Sequence, residues 1–118
     1  ANPLACAAAL AGVELLTSEE MQSNIKRIEN LHQAFAEKIK DHPKVTNIRH
    51  LGIIFAFDLN IKMERYGNIR NQLFSYFMEN GVYLRPLGNT IYITAPFITS
   101  DEEMQKIYDT IEGVFDKF

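Results

Sequence analysis

The sequence predicts an α+β domain, a mainly antiparallel sheet of about four strands covered on one face by helices. Three observations predict it. Apolar residues recur at helical spacing in several stretches, strand-like runs come in consecutive pairs, and each pair is joined by a short glycine-containing turn, Leu51-Gly52 or Leu87-Gly88-Asn89. The resulting order is helix, helix, strand, strand, helix, strand, strand, helix. Strands joined this tightly pair antiparallel, because a parallel crossover needs a much longer connection.

Each element has its own warrant. Asn2 is a good N-cap with Pro3 at the first helical position, so an alanine-rich helix follows over residues 4–16. Thr17 with Glu20 makes a capping-box pattern that opens a second helix, running to about residue 40. Its Ile25, Ile28, Leu31, Phe35 and Ile39 form one stripe to be buried, and His42-Pro43 stops it. Residues 45–49 and 53–59 alternate or run apolar and read as paired strands, with Asp58 at a solvated face or strand end. Residues 61–68 are polar and read as a loop. Residues 71–79 carry Leu73, Phe74, Phe77 and Met78 as an amphipathic helix ended by Asn80-Gly81. Residues 83–86 and 90–94 read as two short strands in a tight hairpin. Ser100 with Glu103 forms another capping box, and the last helix is expected to bury Met104, Ile107, Ile111 and Phe115.

Composition narrows the class of function. The 118 residues are 47% hydrophobic and 23% charged, with a net charge of -3. A single domain of this size buries roughly two-thirds of its unfolded surface. The mild acidity gives no electrostatic case for nucleic acid or an anionic membrane, both of which need clustered Lys and Arg. No apolar run approaches the roughly 20 residues of a transmembrane helix, and no signal peptide is visible. One cysteine permits no internal disulfide, so a cytoplasmic setting is expected.

Arg85 is the residue to explain. It stands among Leu84, Pro86 and Leu87 beside a turn, where a cation must reach solvent or meet an anion, since an unpaired buried charge is very costly. A substrate carboxylate is one such anion, and the planar guanidinium suits it through two parallel hydrogen bonds. The alternative is a structural ion pair with a neighbouring carboxylate. Pro86 lacks an N–H and places this strand at an edge or exit.

Other reactive residue types have blander readings. Cys6 lies among alanines and reads as a small packing residue rather than a thiol nucleophile. His32, His42 and His50 lack ligand spacing and read as surface or turn residues, so no metal site is expected. Gly88 serves turn geometry, and Tyr92 fills the sheet or, as the minority alternative, touches a site. Lys26, Lys38, Lys40, Lys44, Lys62, Lys106 and Lys117 sit on helix faces, ends or a loop, where nothing depresses the amine's pKa.

The run Arg85-Pro86-Leu87-Gly88-Asn89, then Tyr92, then Ala95-Pro96-Phe97-Ile98 and Asp101-Glu102-Glu103, resembles the end of the class III pyridoxal-phosphate aminotransferases. Asn2-Pro3-Leu4-Ala5-Cys6-Ala7-Ala8-Ala9 is similar to the segment with which that family enters the helix linking its large and small domains. Within the family, Arg-Pro-Leu-Gly-Asn before an Ile-Tyr strand looks most like the branch that makes diaminopelargonate for biotin. Ala95-Pro96-Phe97 departs from the usual Pro-Pro-Tyr, losing a proline and a phenolic hydroxyl.

The resemblance implies that residues 1–118 are the C-terminal small domain of a longer fold type I enzyme, with residues 1–16 the inter-domain linking helix. It implies pyridoxal phosphate in the parent and none bound to this chain, because the family's Schiff-base lysine, pyridine-pairing aspartate and phosphate-binding groups lie upstream. The chain alone is expected to be inactive, with no catalytic or cofactor-binding residue of its own. The implied partners are S-adenosylmethionine as amino donor, 8-amino-7-oxononanoate as acceptor, the large domain of the same chain and a second copy in a homodimer. Arg85 is the implied substrate-binding residue, gripping the acceptor's carboxylate. Two alternatives stand beside this: another class III ω-amino acid or amine transaminase, and a free-standing interaction or regulatory module.

Overall fold

The computed structural model describes residues 1–62 and 68–118. Four helices and three strands follow in the order α1 (Pro3–Thr17), α2 (Glu19–Ile39), β1 (Val45–Leu51), β2 (Ile54–Leu59), α3 (Ile69–Glu79), β3 (Thr90–Thr94) and α4 (Asp101–Lys117). The strands form one antiparallel sheet in the order β1-β2-β3. The expected α+β class holds, with three strands in place of about four. Of the expected polar loop at 61–68, residues 63–67 lie outside the described residues.

Strand pairing explains why the sheet has one covered face. Phe55 pairs with Ile93 and Phe57 with Ile91, and all four are buried against the helices. The intervening positions Ile54, Ala56 and Asp58 pair with Thr94, Tyr92 and Thr90 and point to the other face, where Leu51 and Ile54 stay exposed. Period-two alternation therefore separates a wet face from the core. The core joins Ile28, Phe35 and Ile39 of α2 to Leu73 and Phe77 of α3 and to Met104, Ile111 and Val114 of α4. Phe35 stacks on Tyr108 with ring centroids 4.3 Å apart and meets Phe55 at 5.4 Å.

The caps decide where helices begin. Ser100 accepts from the Glu103 N–H at 3.1 Å, as its spacing predicts. At α2 the cap is Ser18 rather than Thr17: Ser18 Oγ accepts from the Met21 N–H, while the Thr17 hydroxyl donates back to the Val13 carbonyl at 2.9 Å. Thr17 still belongs to α1, whose ladder its backbone completes, so the next residue takes the cap.

The missing strand is residues 83–86. Val82, Leu84 and Pro86 are buried and Tyr83 and Arg85 exposed, so the segment is extended with strand-like alternation. It forms no ladder beyond one isolated bridge between Leu87 and Thr90. Leu87 and Thr90 are the hydrogen-bonded pair, so Pro86 falls opposite Ile91 at the non-hydrogen-bonded position, where its missing N–H removes no rung, and residues 83–86 run extended without pairing. The turn itself is as expected: Leu87 and Thr90 exchange two backbone hydrogen bonds of 3.0 Å around Gly88, whose φ is 62°.

Two polar clusters also differ from their expected places. His32 is fully buried, not at the surface: Nε2 lies 3.0 Å from the Ile53 carbonyl and Nδ1 2.7 Å from the Tyr108 hydroxyl. Asp58 is not simply solvated. Its carboxylate accepts from Thr90 Oγ1 at 2.7 Å and Asn47 Nδ2 at 3.0 Å and pairs with Arg49 Nη2 at 3.2 Å. Cys6 is exposed rather than packed, because α1 buries none of its residues.

Candidate functional site

The chain reaches the site through the end of α3. Gly81, with φ 72°, donates to the Met78 carbonyl, and Val82 donates to the Phe77 carbonyl, both at 3.0 Å. This is a Schellman ending, in which glycine takes the left-handed conformation and the next residue packs back on the helix. Buried Val82 thus fixes the exit direction, and alternation from it carries Leu84 and Pro86 inward and Tyr83 and Arg85 outward. Arg85 is aimed by backbone geometry fixed three residues earlier.

Two cavities meet at Arg85. The larger, about 630 Å³, lies between the 81–85 segment, the end of β3 and the first turns of α4, and includes Tyr92, Ala95, Glu103 and Lys106. The smaller, about 240 Å³, is lined by Arg70, Asn71, Phe74, Tyr83 and Arg85. Phe74 and Tyr83 meet edge to face at 5.9 Å and form an aromatic wall of it. Among the described residues no carboxylate lies within ion-pair distance of Arg85, and the five ion pairs present involve other cations. The structural ion pair weighed as the alternative role is therefore not among them. A guanidinium held at the junction of two cavities offers its donors to an anionic ligand.

Tyr92 sits half-buried on the open sheet face and borders the larger cavity. No group of three or more His, Cys, Asp or Glu side chains that could hold a metal ion occurs among the described residues. No helix among them is long and apolar enough to cross a membrane. Described lysines lie exposed on the surface except Lys44, which is half-buried and donates to the Phe115 carbonyl.

The electrostatics outside the cavities are structural. Burial holds the His32 imidazole below its ordinary pKa, and burial likewise pushes the Tyr108 phenol up. Hydrogen bonds from Asn47 and Thr90, ahead of the Arg49 charge, hold the Asp58 carboxyl low. Arg70 escaped the sequence reading, although a signal was present: a cation in the first turn of a helix opposes the helix dipole, and α3 has no acidic residue there to offset it.

Known proteins similar to this chain are aminotransferases. The adenosylmethionine-8-amino-7-oxononanoate aminotransferase of Synechococcus elongatus is 37% identical over 118 residues, covering 99% of this chain and 27% of its own. The enzyme of the same name from Corynebacterium glutamicum is 34% identical, covering 91% of this chain and 24% of its own. The crystal structure of acetylornithine aminotransferase from Elizabethkingia anophelis superposes with a TM-score of 0.80 at 27% identity, over 99% of this chain and 30% of that one. The chain thus spans about a quarter of the length of the curated relatives it matches. The model of the aminotransferase class-III family matches residues 1–115, and the chain belongs to that family.

Proposed function

We propose that this chain is the substrate-recognising C-terminal small domain of an aminotransferase that moves an amino group from S-adenosylmethionine to 8-amino-7-oxononanoate in biotin synthesis, with residues 1–16 as the inter-domain linking helix. The observation that carries the reading is Arg85, held outward by the Schellman ending of α3 with no carboxylate partner among the described residues. The names of the Synechococcus and Corynebacterium relatives supply the substrate pair. The parent is proposed to be a cytoplasmic homodimer. The lone exposed thiol of Cys6 supports the reducing compartment, and the dimer rests on the family resemblance.

The described residues do not fit pyridoxal phosphate as a group of their own. A cofactor lysine needs a desolvated amine, and the described lysines lie at the surface or, in Lys44, on a backbone carbonyl. In the parent the cofactor would be held by residues outside this chain and would supply the electron sink. This chain's share is binding and orientation. Arg85 takes the acceptor's distal carboxylate in a bidentate grip, which fixes where the far end of the molecule lies and hence where its ketone is presented.

Two measurements on the parent-length enzyme test this. Mixing it with S-adenosylmethionine should change the bound cofactor's absorbance as the amino group is taken up; a change only with ω-amino acids or simple amines would move the chain to the wider transaminase group. Arg85→Ala should raise the KM for 8-amino-7-oxononanoate by about tenfold or more, the loss falling on the acceptor rather than the donor. An unchanged acceptor KM would remove Arg85 from the role.

A further inference from the structure

The smaller cavity holds a second cation that the assignment of Arg85 does not use. Arg70, in the first turn of α3, and Arg85, on the extended 83–86 segment, line the same space of about 240 Å³. Neither makes an ion pair or a side-chain hydrogen bond among the described residues, whereas Arg27 binds Asp101 and the Thr99 carbonyl, and Arg49 binds Asp58. Both residues are exposed and border the same small cavity, and Arg70 stands at the positive end of its helix without an acidic neighbour in the first turn. An anion held in that cavity would have both cations within its lining and would complement the helix end. The wall beside them is the edge-to-face pair Phe74 and Tyr83, which offers apolar surface to whatever carries that anion.

We propose that Arg70 and Arg85 together hold one carboxylate in the smaller cavity, with Phe74 and Tyr83 against the alkyl chain that bears it. The inference deepens the reading of Arg85 and rests on it. Arg70 is a specificity residue: it selects an acceptor with a terminal carboxylate over one that ends in a neutral group, and has no part in proton transfer.

The test uses the parent-length enzyme with 8-amino-7-oxononanoate and with its methyl ester, comparing wild type with Arg70→Gln, Arg70→Lys and Arg85→Gln. Arg70→Gln should raise the KM for the free acid by about fivefold to tenfold and leave the ester nearly unaffected, because the ester has no charge for Arg70 to hold. Arg70→Lys should recover part of the loss by restoring the charge without the planar fork. Calorimetric titration of each enzyme with the free acid should reproduce the same order in Kd. If Arg85→Gln weakens the free acid and Arg70→Gln does not, the clamp is overturned while the reading of Arg85 stands. If neither variant weakens it, both fall. Equal losses for acid and ester in Arg70→Gln would mean that the residue only supports the fold of α3, and would also overturn the proposal.

Discussion

Burial keeps the His32 imidazole neutral, and both ring nitrogens are used in that state. The Ile53 carbonyl can only accept, so Nε2 carries the proton and Nδ1 accepts from the Tyr108 hydroxyl. Burial lowers the folded pKa beneath the ordinary 6.5; the hydrogen bond to the Ile53 carbonyl is the largest effect opposing it, His50 adds to the lowering and Glu29 opposes it more weakly. The unfolded chain therefore takes up the proton first as pH falls. His32 contributes its full stability above about 6.5 and loses it progressively below. His32→Phe should flatten that pH dependence while lowering stability near pH 7 by about 1–3 kcal/mol, since the Ile53 and Tyr108 groups lose a partner. Urea unfolding of both proteins at about pH 7 and pH 5 measures the two effects separately. Asp58 has the same sign in a lower window, its contribution lost only as pH falls below 3.8. His32 was legible in principle: it follows Ile28 by four residues and precedes Phe35 by three, on the apolar stripe itself. Its residue type argued for the surface, and the helical spacing was the better guide. Arg85 was legible because apolar flanks make any cation conspicuous; Asp58 was not, because Asn47 and Thr90 approach it only after the strands pair.

At the scale of elements, α4 carries a glycine that helix propensity does not explain. Ala is favoured over Gly in a helix interior by about 1 kcal/mol. Yet a Cβ at Gly113 would stand 2.2 Å from the Tyr76 hydroxyl, which donates to the Thr110 carbonyl at 2.8 Å and ties α3 to α4. Gly113→Ala should therefore destabilise the fold, by about 1–2 kcal/mol after the propensity gain is offset by the lost hydrogen bond and forced shift. A thermal midpoint at or above that of the wild type would show that Tyr76 moves aside at no cost. Element type was legible wherever a local cause dominates: the α4 cap, the Gly88 turn, the glycine ending of α3. The strand expected at 83–86 failed because alternation reports only burial on two sides, while a strand also needs backbone pairing with a neighbour. The segment stays extended without joining the sheet. Arg85 on this segment borders both cavities.

For the whole molecule the controlling feature is α1. Its first end is well made, with Asn2 Oδ1 accepting from the Leu4 and Ala5 N–H groups and Pro3 opening the helix. It nevertheless buries no residue, and leaves Leu4 83%, Leu10 69%, Val13 56% and Leu15 64% exposed. The chain's radius of gyration is 16.5 Å, against about 13–14 Å for a compact domain of this length. A 15-residue helix this apolar and this unsupported does not persist alone in water, because isolated helices of that length are marginal. It needs a surface to cover it, and in the proposed parent the large domain would do so. Prepared by itself, the 118-residue chain should bury α1 against a second copy and show a mass that rises with concentration in light scattering. Leu10→Glu with Val13→Lys, which places charge on that face without touching the core, should return it to a monomer. A wild-type chain that remains monomeric over a wide concentration range would mean that α1 folds back on its own domain or frays, and that its apolar surface is not a docking face.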